Sequence, residues 1–398
     1  MNTNTRTNVA LLSFSLVVVT LGFGMIIPIF PFYIEKLGAS GRDMGLLIAT
    51  AALFEFLFAP LWGSISDRTG RKPILMIGMV GYGLSSLLFG LSTRLWMLYA
   101  SRALSGLLSS ATAVTAMAYI GDSTSGEDRG SGIGMLGAAM GLGLIVGPGL
   151  GGWLGAASLA TPFFASAGLA LIALVLIFFL LPESLPAETR TGGKVRTVQL
   201  TALWRALFSP IGILLALLFL VSFGLTNFES VFGLYAAEEL GYGPDRVGMI
   251  LVVVGVASTL GKATLIGPLT RRWGEAVIIK ASTLASSVGF LVLLLAHSYP
   301  TILLATGIFI LSKTFLRTAL LSLASRRTTR QQGIVMGLGN SFINLGRIVG
   351  PIWAGFIFDV NLNYPYLSGA AIMFIGFLTS LAWVSQGDPN NMTTNKED

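Results

Sequence analysis

Long apolar stretches separated by short polar turns dominate the pattern of hydrophobic positions along the chain. A helix that crosses a membrane needs about 20 mostly apolar residues, and this rule predicts twelve such spans. They are numbered 1 to 12, and their predicted ranges are 10–32, 44–65, 74–92, 95–120, 132–155, 160–181, 210–236, 247–269, 275–296, 299–323, 333–358 and 365–385. The pattern therefore predicts an all-α polytopic membrane protein.

One long polar connection separates the first six spans from the last six. The predicted organisation is an N-terminal six-helix bundle at 1–181, a cytoplasmic central loop at 182–209 and a C-terminal six-helix bundle at 210–398. These bundles are the first half and the second half of the chain.

Short motifs repeat between the two halves at a nearly constant distance. Gly143-Leu-Ile-Val-Gly-Pro148 in span 5 recurs 203 residues later as Gly346-Arg-Ile-Val-Gly-Pro351 in span 11. Gly63-Ser-Ile-Ser-Asp-Arg-Thr-Gly70 after span 2 recurs in weaker form as Gly267-Pro-Leu-Thr-Arg-Arg-Trp-Gly274 after span 8. A duplicated six-span unit predicts a transporter with a site near the membrane midplane, between halves that rock against each other. The alternative is that the repeats reflect only the small residues that close helix packing needs.

The composition agrees with a membrane protein and excludes several other classes. Of the 398 residues, 54% are hydrophobic and 11% are charged, whereas soluble domains carry roughly 25% charged residues. A soluble enzyme, a disordered chain and a nucleic-acid-binding chain are therefore excluded. The absence of cysteine excludes disulfides, thiolate metal sites and cysteine nucleophiles. With a single histidine, His297, no metal site is expected.

Lysine and arginine collect on one side of the predicted topology. With the N-terminus inside, the outer loops hold four of them: Lys36, Arg42, Arg94 and Arg246. The cytoplasmic segments hold sixteen, namely Arg6, Arg68, Arg71, Lys72, Arg129, Arg190, Lys194, Arg196, Arg205, Arg271, Arg272, Lys280, Arg326, Arg327, Arg330 and Lys396. Cytoplasmic loops of membrane proteins retain such residues, so both termini are expected to be cytoplasmic. The same bias accounts for the net charge of +7 without a nucleic-acid partner.

The turn between spans 2 and 3 reads Gly63-Ser-Ile-Ser-Asp67-Arg68-Thr-Gly70-Arg71-Lys72. Its glycines, Gly63 and Gly70, allow a tight reversal and a close approach of the helices. The charges of Asp67, Arg68 and Arg71 suit ion pairs with a neighbouring helix end, which would hold one conformation. The alternative is an ordinary basic loop on the cytoplasmic side.

Four motifs resemble signatures of the major facilitator superfamily. The string from Gly63 to Lys72 resembles its signature loop. In span 5, Gly143-x-x-x-Gly147-Pro148-x-x-Gly151-Gly152 resembles the antiporter motif of the drug–proton antiporter family within it. Leu98-x-x-x-Arg102-x-x-x-Gly106 in span 4 and Leu21-Gly-Phe-Gly-Met-Ile-Ile-Pro-Ile-Phe-Pro31 in span 1 resemble two further motifs of that family. The resemblance covers the whole chain, and it is strongest to the twelve-helix quinolone and multidrug exporters of Gram-positive bacteria and looser to the tetracycline exporters.

This resemblance implies the major facilitator fold of two pseudo-symmetric six-helix bundles. It also implies proton-coupled efflux of amphipathic drugs by rocker-switch alternating access in a bacterial cytoplasmic membrane. The proton gradient would supply the energy, so no cofactor is expected. The implied partners are protons, the lipid bilayer and an amphipathic small molecule, and the chain is expected to function as a monomer. By resemblance, Glu229 is the family's essential acid in span 7, and Arg102 is the span-4 arginine that links protonation to the conformational change.

Charged side chains in the middle of spans are costly and mark candidate functional sites. The acids at such depth are Glu55 and Glu229, and the bases are Arg102, Lys262, Lys313, Arg317 and Arg347. Helical spacing places several of them in polar stripes, which face either a water-filled cavity or another helix. The stripes are Asn340, Asn344 and Arg347 in span 11, Lys313 and Arg317 in span 10, and Arg102, Ser105, Ser109 and Thr112 in span 4. The predicted substrate cavity comprises Glu229, Phe232, Lys262, Lys313, Thr314, Arg317, Asn340, Asn344 and Arg347.

The expected proton-coupling set is Glu229, Arg102 and Glu55. A buried carboxyl is neutral when it is closed off from water and ionised when water or a base approaches, and this behaviour suits Glu229 to carry the proton. The alternative for Glu229 is a fixed ion pair with Lys313 or Arg317. Glu55 stands where the related exporters usually have Gln, and it is either a second protonation site or a partner for Lys262.

The related multidrug exporters carry an Asp three residues before the span-10 arginine, whereas this chain has Thr314 there, beside Lys313. The deep spans therefore hold more bases than acids, which favours a zwitterionic or anionic amphiphile over a simple cation. The same balance leaves open the export or flipping of an anionic lipid, glycolipid or metabolite. An enzyme or a receptor is not expected, because the sequence has no clustered His, Asp or Cys ligands and no soluble signalling domain.

Overall fold

The computed structural model describes residues 3–124, 127–190, 197, 200–209, 211–326 and 332–384. All regular secondary structure in these residues is helical. Part of the predicted central loop, including Lys194 and Arg196, lies outside the described residues. The same holds for Arg327, Arg330 and Lys396 of the predicted cytoplasmic set.

Helices occupy every predicted span. In the first half they are Thr3–Glu35, Gly41–Thr69, Arg71–Gly90, the run of Leu95–Leu104, Ser105–Ser109 and Ser110–Ser123, then Glu127–Ala157 and Thr161–Leu180. In the second half they are Gly212–Glu238, the run of Pro244–Leu260, Gly261–Leu265 and Ile266–Leu295, then Tyr299–Arg326, Gln332–Phe358 and Tyr364–Trp383. Ser105–Ser109 and Gly261–Leu265 are π-helical turns. A 3-10 turn, Ala187–Thr189, and a short helix, Leu200–Leu207, lie between the halves along the chain.

The number of spans follows from one break in a long helix. Within the described residues, eleven helices are long and apolar enough to cross a membrane. One of them, Pro244–Leu295, has 52 residues, which is about 78 Å of helix against a bilayer core of about 30 Å. Its backbone leaves the helical conformation at Gly274, so this run contains spans 8 and 9. The prediction of twelve spans in an all-α membrane fold is confirmed.

Two glycines end spans 2 and 8 in a similar backbone conformation. Gly70 has φ 106° and ψ 164°, and Gly274 has φ 78° and ψ 160°. A positive φ is unfavourable for residues with a Cβ and accessible to glycine. The two positions are equivalent in the repeat found in the sequence, so each half reverses its chain with the same local device.

The chain divides into two compact units that cut across the two halves. Unit 1 comprises Met1–Leu200, Thr226–Val256 and Arg347–Pro365. Unit 2 comprises Thr201–Leu225, Ala257–Gly346 and Tyr366–Asp398. Unit 1 therefore contains the first half together with one end each of spans 7, 8 and 11. The division of the chain into halves at 182–209 rests on the sequence repeat and stays a prediction.

Unit 1 is held together by an apolar core to which spans 1, 3, 4, 5 and 6 contribute. Its buried side chains include Leu12, Leu75, Tyr119, Leu136 and Ile177.

Many large apolar side chains on the outside of the helices are exposed, among them Trp153, Phe179, Leu295 and Leu304. A water-soluble surface rarely exposes so much apolar area, whereas a lipid-facing surface requires it.

Candidate functional site

The turn after span 2 is organised by one buried guanidinium. Arg71 donates hydrogen bonds to Asp67 Oδ1 at 2.6 Å, to Asp122 Oδ2 at 2.7 Å and to Ser66 Oγ at 2.6 Å. Its side chain is only 7% exposed. Asp122 lies at the end of span 4, so the turn does form an ion pair with a neighbouring helix end. Asp67 contacts Arg71 of its own turn, and the adjacent Arg68 is exposed.

Glu183 completes this turn, and the sequence pattern did not single it out. Its carboxylate accepts a hydrogen bond from the backbone N–H of Arg71 at 2.8 Å and another from that of Lys72 at 3.2 Å. These N–H groups begin span 3 and have no partner within the helix. Glu183 therefore ties the start of span 3 to the end of span 6. The signal in the sequence was an acid directly after Pro182, at the end of an apolar span.

The second half contains the same ion pair with its charges exchanged. Arg71 follows Gly70, and Glu275 follows Gly274. Glu275 accepts a hydrogen bond from Arg326 Nε at 3.1 Å, and Arg326 is the last residue of span 10. Ser322 donates a second hydrogen bond to the same oxygen at 3.1 Å. Each half thus joins the turn after its second span to the end of its fourth span.

The glycines of span 5 pack directly on span 1. A methyl group on Gly143 would lie 2.6 Å from the backbone nitrogen of Leu21, and one on Gly147 would lie 2.6 Å from the Leu21 carbonyl oxygen. A methyl group on Gly151 would lie 2.5 Å from Met25 Cα. Real Cβ atoms do not approach so closely, so each position needs glycine. Small residues at this spacing allow helix backbones to meet in a membrane.

Two further glycine contacts are related by the 203-residue repeat. A methyl group on Gly248 in span 8 would lie 2.5 Å from the Pro148 carbonyl oxygen and 3.1 Å from Gly152 Cα in span 5. A methyl group on Gly45 in span 2 would lie 3.3 Å from Gly355 Cα in span 11. Gly45 and Gly248 are equivalent in the repeat, and so are Gly152 and Gly355. Within unit 1, spans 5 and 8 therefore meet in the same way as spans 2 and 11.

Asp359 stabilises the contact of span 2 with span 11. Its two carboxylate oxygens accept hydrogen bonds from the backbone N–H groups of Gly41 at 2.8 Å and Arg42 at 3.0 Å, at the start of span 2. The Arg42 guanidinium lies 4.6 Å from the centre of the Phe356 ring. A carboxylate at a helix N-terminus is favourable because it satisfies free N–H groups and complements the helix dipole.

Glu55 forms an ion pair with Arg347. The Glu55 Oε1 atom lies 3.3 Å from Arg347 Nη1, and the two side chains are 41% and 37% exposed. This contact joins span 2 to span 11 inside unit 1. The sequence left Glu55 as a protonation site or a partner of Lys262. The structure pairs it with Arg347, and Lys262 is exposed.

Arg102 is buried between two aromatic rings rather than beside an acid. Its guanidinium carbon lies 4.6 Å from the centre of the Phe30 ring and 4.7 Å from that of Phe89. The residue is 9% exposed, and its Nε has no hydrogen-bond partner among the described residues. The stripe that Arg102 begins in span 4 therefore packs against other helices at this position. Thr112, at its far end, is also fully buried.

Lys313 and Arg317 differ in exposure, which corrects the expectation that both face a cavity. Lys313 is 2% exposed, whereas Arg317, one turn later, is exposed. The Lys313 Nζ atom lies 2.9 Å from Met373 Sδ, in a pocket inside unit 2. Lys313 fits into this pocket because Gly224 has no side chain, and a methyl group there would collide with Nζ.

The other predicted cavity residues divide into buried and exposed positions. Phe232 is 3% exposed and packs on Phe228, with ring centres 4.8 Å apart. Thr314 shares a hydrogen bond of 2.8 Å with Ser258 of span 8. The exposed or half-buried members are Glu229, Asn340 and Asn344.

The comparisons with known proteins agree with this architecture. A family model described as the Major Facilitator Superfamily matches residues 12–235 and 214–398. The chain belongs to this superfamily, which confirms the expectation from the motifs. It is a transporter fold and not an enzyme.

Two relatives are similar over almost the full chain. Multidrug resistance protein 2 of Bacillus subtilis (strain 168) is 32% identical over 366 residues, which cover 91% of this chain and 92% of that protein. The quinolone resistance protein NorA of Staphylococcus aureus is 28% identical over 373 residues, covering 93% and 95%. Both agree with the predicted resemblance to Gram-positive drug exporters.

Solved structures support the fold alone. The nucleoside transporter NupG is 14% identical, has a TM-score of 0.78, and aligns over 97% of this chain and 100% of its own. The human organic anion transporter MFSD10 is 21% identical with a TM-score of 0.69, aligned over 96% and 100%.

Proposed function

We propose that this protein is a proton-coupled exporter of amphipathic drugs in a bacterial cytoplasmic membrane, with both termini in the cytoplasm. Its similarity to proteins named for multidrug and quinolone resistance supports drug efflux. The excess of lysine and arginine on one side of the spans supports the orientation.

The observation that carries the proposal is the position of Glu229. It lies nine residues before the end of span 7, Gly212–Glu238, or about 14 Å along the helix. An ionisable group at that depth must face water or polar groups rather than lipid, and its side chain is exposed. A carboxyl placed there is suited to bind a proton from one side and release it to the other. The transported proton would bind to the Glu229 carboxylate and later leave it. Arg102 and the Glu55–Arg347 ion pair would change their contacts as the spans move.

Alternating access would use the glycine contacts of unit 1. By the predicted orientation, Gly45, Gly152, Gly248 and Gly355 lie toward the outer side. We propose that the contact of span 2 with span 11, and the contact of span 5 with span 8, close the outer side. Both would separate when the outer side opens, and the Asp359 cap on span 2 would be released with them.

The preferred substrate would be zwitterionic or anionic. Burial of Lys313 removes one base from the predicted cavity, but Lys262 and Arg317 remain exposed. Thr314 stands where an acid would attract a cation, and Glu55 is neutralised by Arg347. Among the exposed charged residues deep in the spans, bases therefore still outnumber acids. This balance disfavours a lipophilic monocation as the substrate.

Transport in inverted membrane vesicles with an acidic interior tests this function. The test compares a zwitterionic quinolone, a quaternary dye and a labelled anionic lipid, with vesicles lacking the protein as the control. We expect the quinolone to accumulate most, and accumulation to collapse when a protonophore removes the pH gradient. Accumulation that ignores the gradient would contradict proton coupling. Movement of the lipid alone would instead favour a lipid exporter.

A further inference from the structure

Lys313 is the most deeply buried base of the described spans, and its surroundings are apolar. Its Nζ lies 5.2 Å from the centre of the Phe290 ring and 5.3 Å from that of Phe309. It donates a hydrogen bond to the Met373 thioether sulfur, at 2.9 Å. These groups come from spans 9, 10 and 12, and Gly224 of span 7 lies against Nζ.

The contacts of Lys313 within the described residues include no carboxylate. The titratable or charged groups closest in sequence on the lining spans are Arg317 on span 10, Tyr366 on span 12, whose ring centre lies 6.4 Å from that of Phe290, and the exposed Glu229 on span 7. The hydrogen bond and ring contacts of Lys313 do not include Glu229, and neither Arg317 nor Tyr366 can neutralise an ammonium ion. Aromatic faces and a thioether attract a cation only weakly, whereas burying an unpaired charge is costly. The pocket therefore suits a neutral amine.

Arg102 shows why the residue type matters. It is also buried between two phenylalanine rings, but a guanidinium keeps its charge in proteins and is less strongly hydrated than an ammonium. A lysine in such a place loses its proton readily. Arg102 therefore marks a permanent buried charge in the first half, and Lys313 marks a position in the second half where the charge can appear and disappear.

We propose that Lys313 is a second proton-binding group of the transport cycle, neutral in the conformation seen here. When span 10 moves and water reaches Nζ, the amine takes a proton from that water and becomes an ammonium. After the protein has opened to the other side, the ammonium gives its proton to water that reaches Nζ from that side, and the pocket then closes around the neutral amine. This inference rests on the proposed proton-coupled export, and it adds a basic carrier to the acidic one at Glu229.

Three substitutions at Lys313 separate a proton carrier from a packing residue or a fixed charge. Lys313→Met keeps the length and suits an apolar pocket, Lys313→Gln is neutral and polar, and Lys313→Arg keeps a permanent charge. Lys280→Met, near the start of span 9, is the matched control. Each variant is compared for uphill drug accumulation driven by a pH gradient and for drug counterflow without a gradient.

With a gradient of about one pH unit, we expect all three Lys313 variants to lose uphill accumulation by about tenfold, because one coupled proton then supplies a factor of about ten, while counterflow stays near the wild-type rate. Purified Lys313→Met should also release fewer protons than wild type when a drug is added in weak buffer. The control should match wild type in every measurement.

Several outcomes would overturn the inference. Full uphill transport by Lys313→Met or Lys313→Gln would show that no proton at this position is needed. Full uphill transport by Lys313→Arg would show that a fixed charge suffices. If one neutral variant fails to fold, the other and the Arg variant still decide. Wild-type vesicles without gradient-driven transport would overturn the proposed function and this inference together, whereas the variant results bear on Lys313 alone.

Discussion

Arg71 and Glu275 stand at equivalent positions of the two halves and carry opposite charges. Each directly follows a glycine with positive φ, and each binds the end of the fourth span of its own half, at Asp122 and at Arg326. Both halves therefore hold an ion pair at this position, with the acid and the base exchanged between its two ends.

The two ion pairs should differ in strength. Arg71 is 7% exposed, whereas Arg326 is 72% exposed. Removing Asp122 would leave a buried guanidinium with one partner fewer, at a cost of about 1–3 kcal/mol. The exposed Arg326 pair should contribute less than about 1 kcal/mol. Double-mutant cycles with Asp122→Asn and Arg71→Gln, and with Glu275→Gln and Arg326→Gln, measure both by thermal unfolding. Equal coupling energies would contradict this ranking.

Exchanging the charges of the second pair should be tolerated. Glu275→Arg alone places two bases together and should lower the yield of folded protein. Adding Arg326→Asp restores an ion pair in the order found in the first half. Size-exclusion profiles of the two single variants and the double variant provide the measurement. A double variant no better folded than Glu275→Arg would show that these two residues do not act as a pair.

The glycine contacts should control opening of the outer side. Gly45→Ala and Gly248→Ala each place a methyl group against a neighbouring backbone, so both should shift the protein toward a conformation open to the outside. The chain has no cysteine, so single cysteines introduced elsewhere report accessibility without background. Gly141→Ala is the control, because a methyl group there would meet open space. Unchanged labelling in both variants would contradict a closing role.

Asp359 should contribute to the same closure through its helix cap. Asp359→Ala removes both hydrogen bonds to the start of span 2, a change worth about 0.5–2 kcal/mol for helix caps. That should raise labelling from the outside, because the contact of span 2 with span 11 is weakened, while Glu188→Gln, at an exposed position of the predicted cytoplasmic loop, should leave it unchanged. Equal labelling in Asp359→Ala and wild type would show that the cap has no part in closure.

Local features of this fold could be predicted from the sequence, whereas the burial of individual side chains and their partners far along the chain could not. Gly70 and Gly274 follow from the repeat, since both end an apolar stretch within the same motif. The spacing of Lys313 and Arg317 predicted a shared stripe, but spacing does not say which side chain enters a pocket. That depended on Gly224, which lies on another span.

Contacts between residues far apart along the chain could not be predicted either, because local spacing does not determine them. Glu183 caps a helix that begins 112 residues before it, and Asp359 caps one that begins 318 residues before it. No local pattern specifies such a contact. The Glu55–Arg347 pair is similar, because many bases in the spans were possible partners for one acid.

The most direct measurement of the central claim is transport by Glu229→Gln. If Glu229 carries the coupled proton, this variant should lose uphill drug accumulation in vesicles with a pH gradient and still exchange drug by counterflow. Glu239→Gln, just beyond the end of the same span, should behave as wild type. Uphill accumulation by Glu229→Gln at the wild-type level would contradict the account. Loss of folded protein would instead identify Glu229 as part of a fixed ion pair.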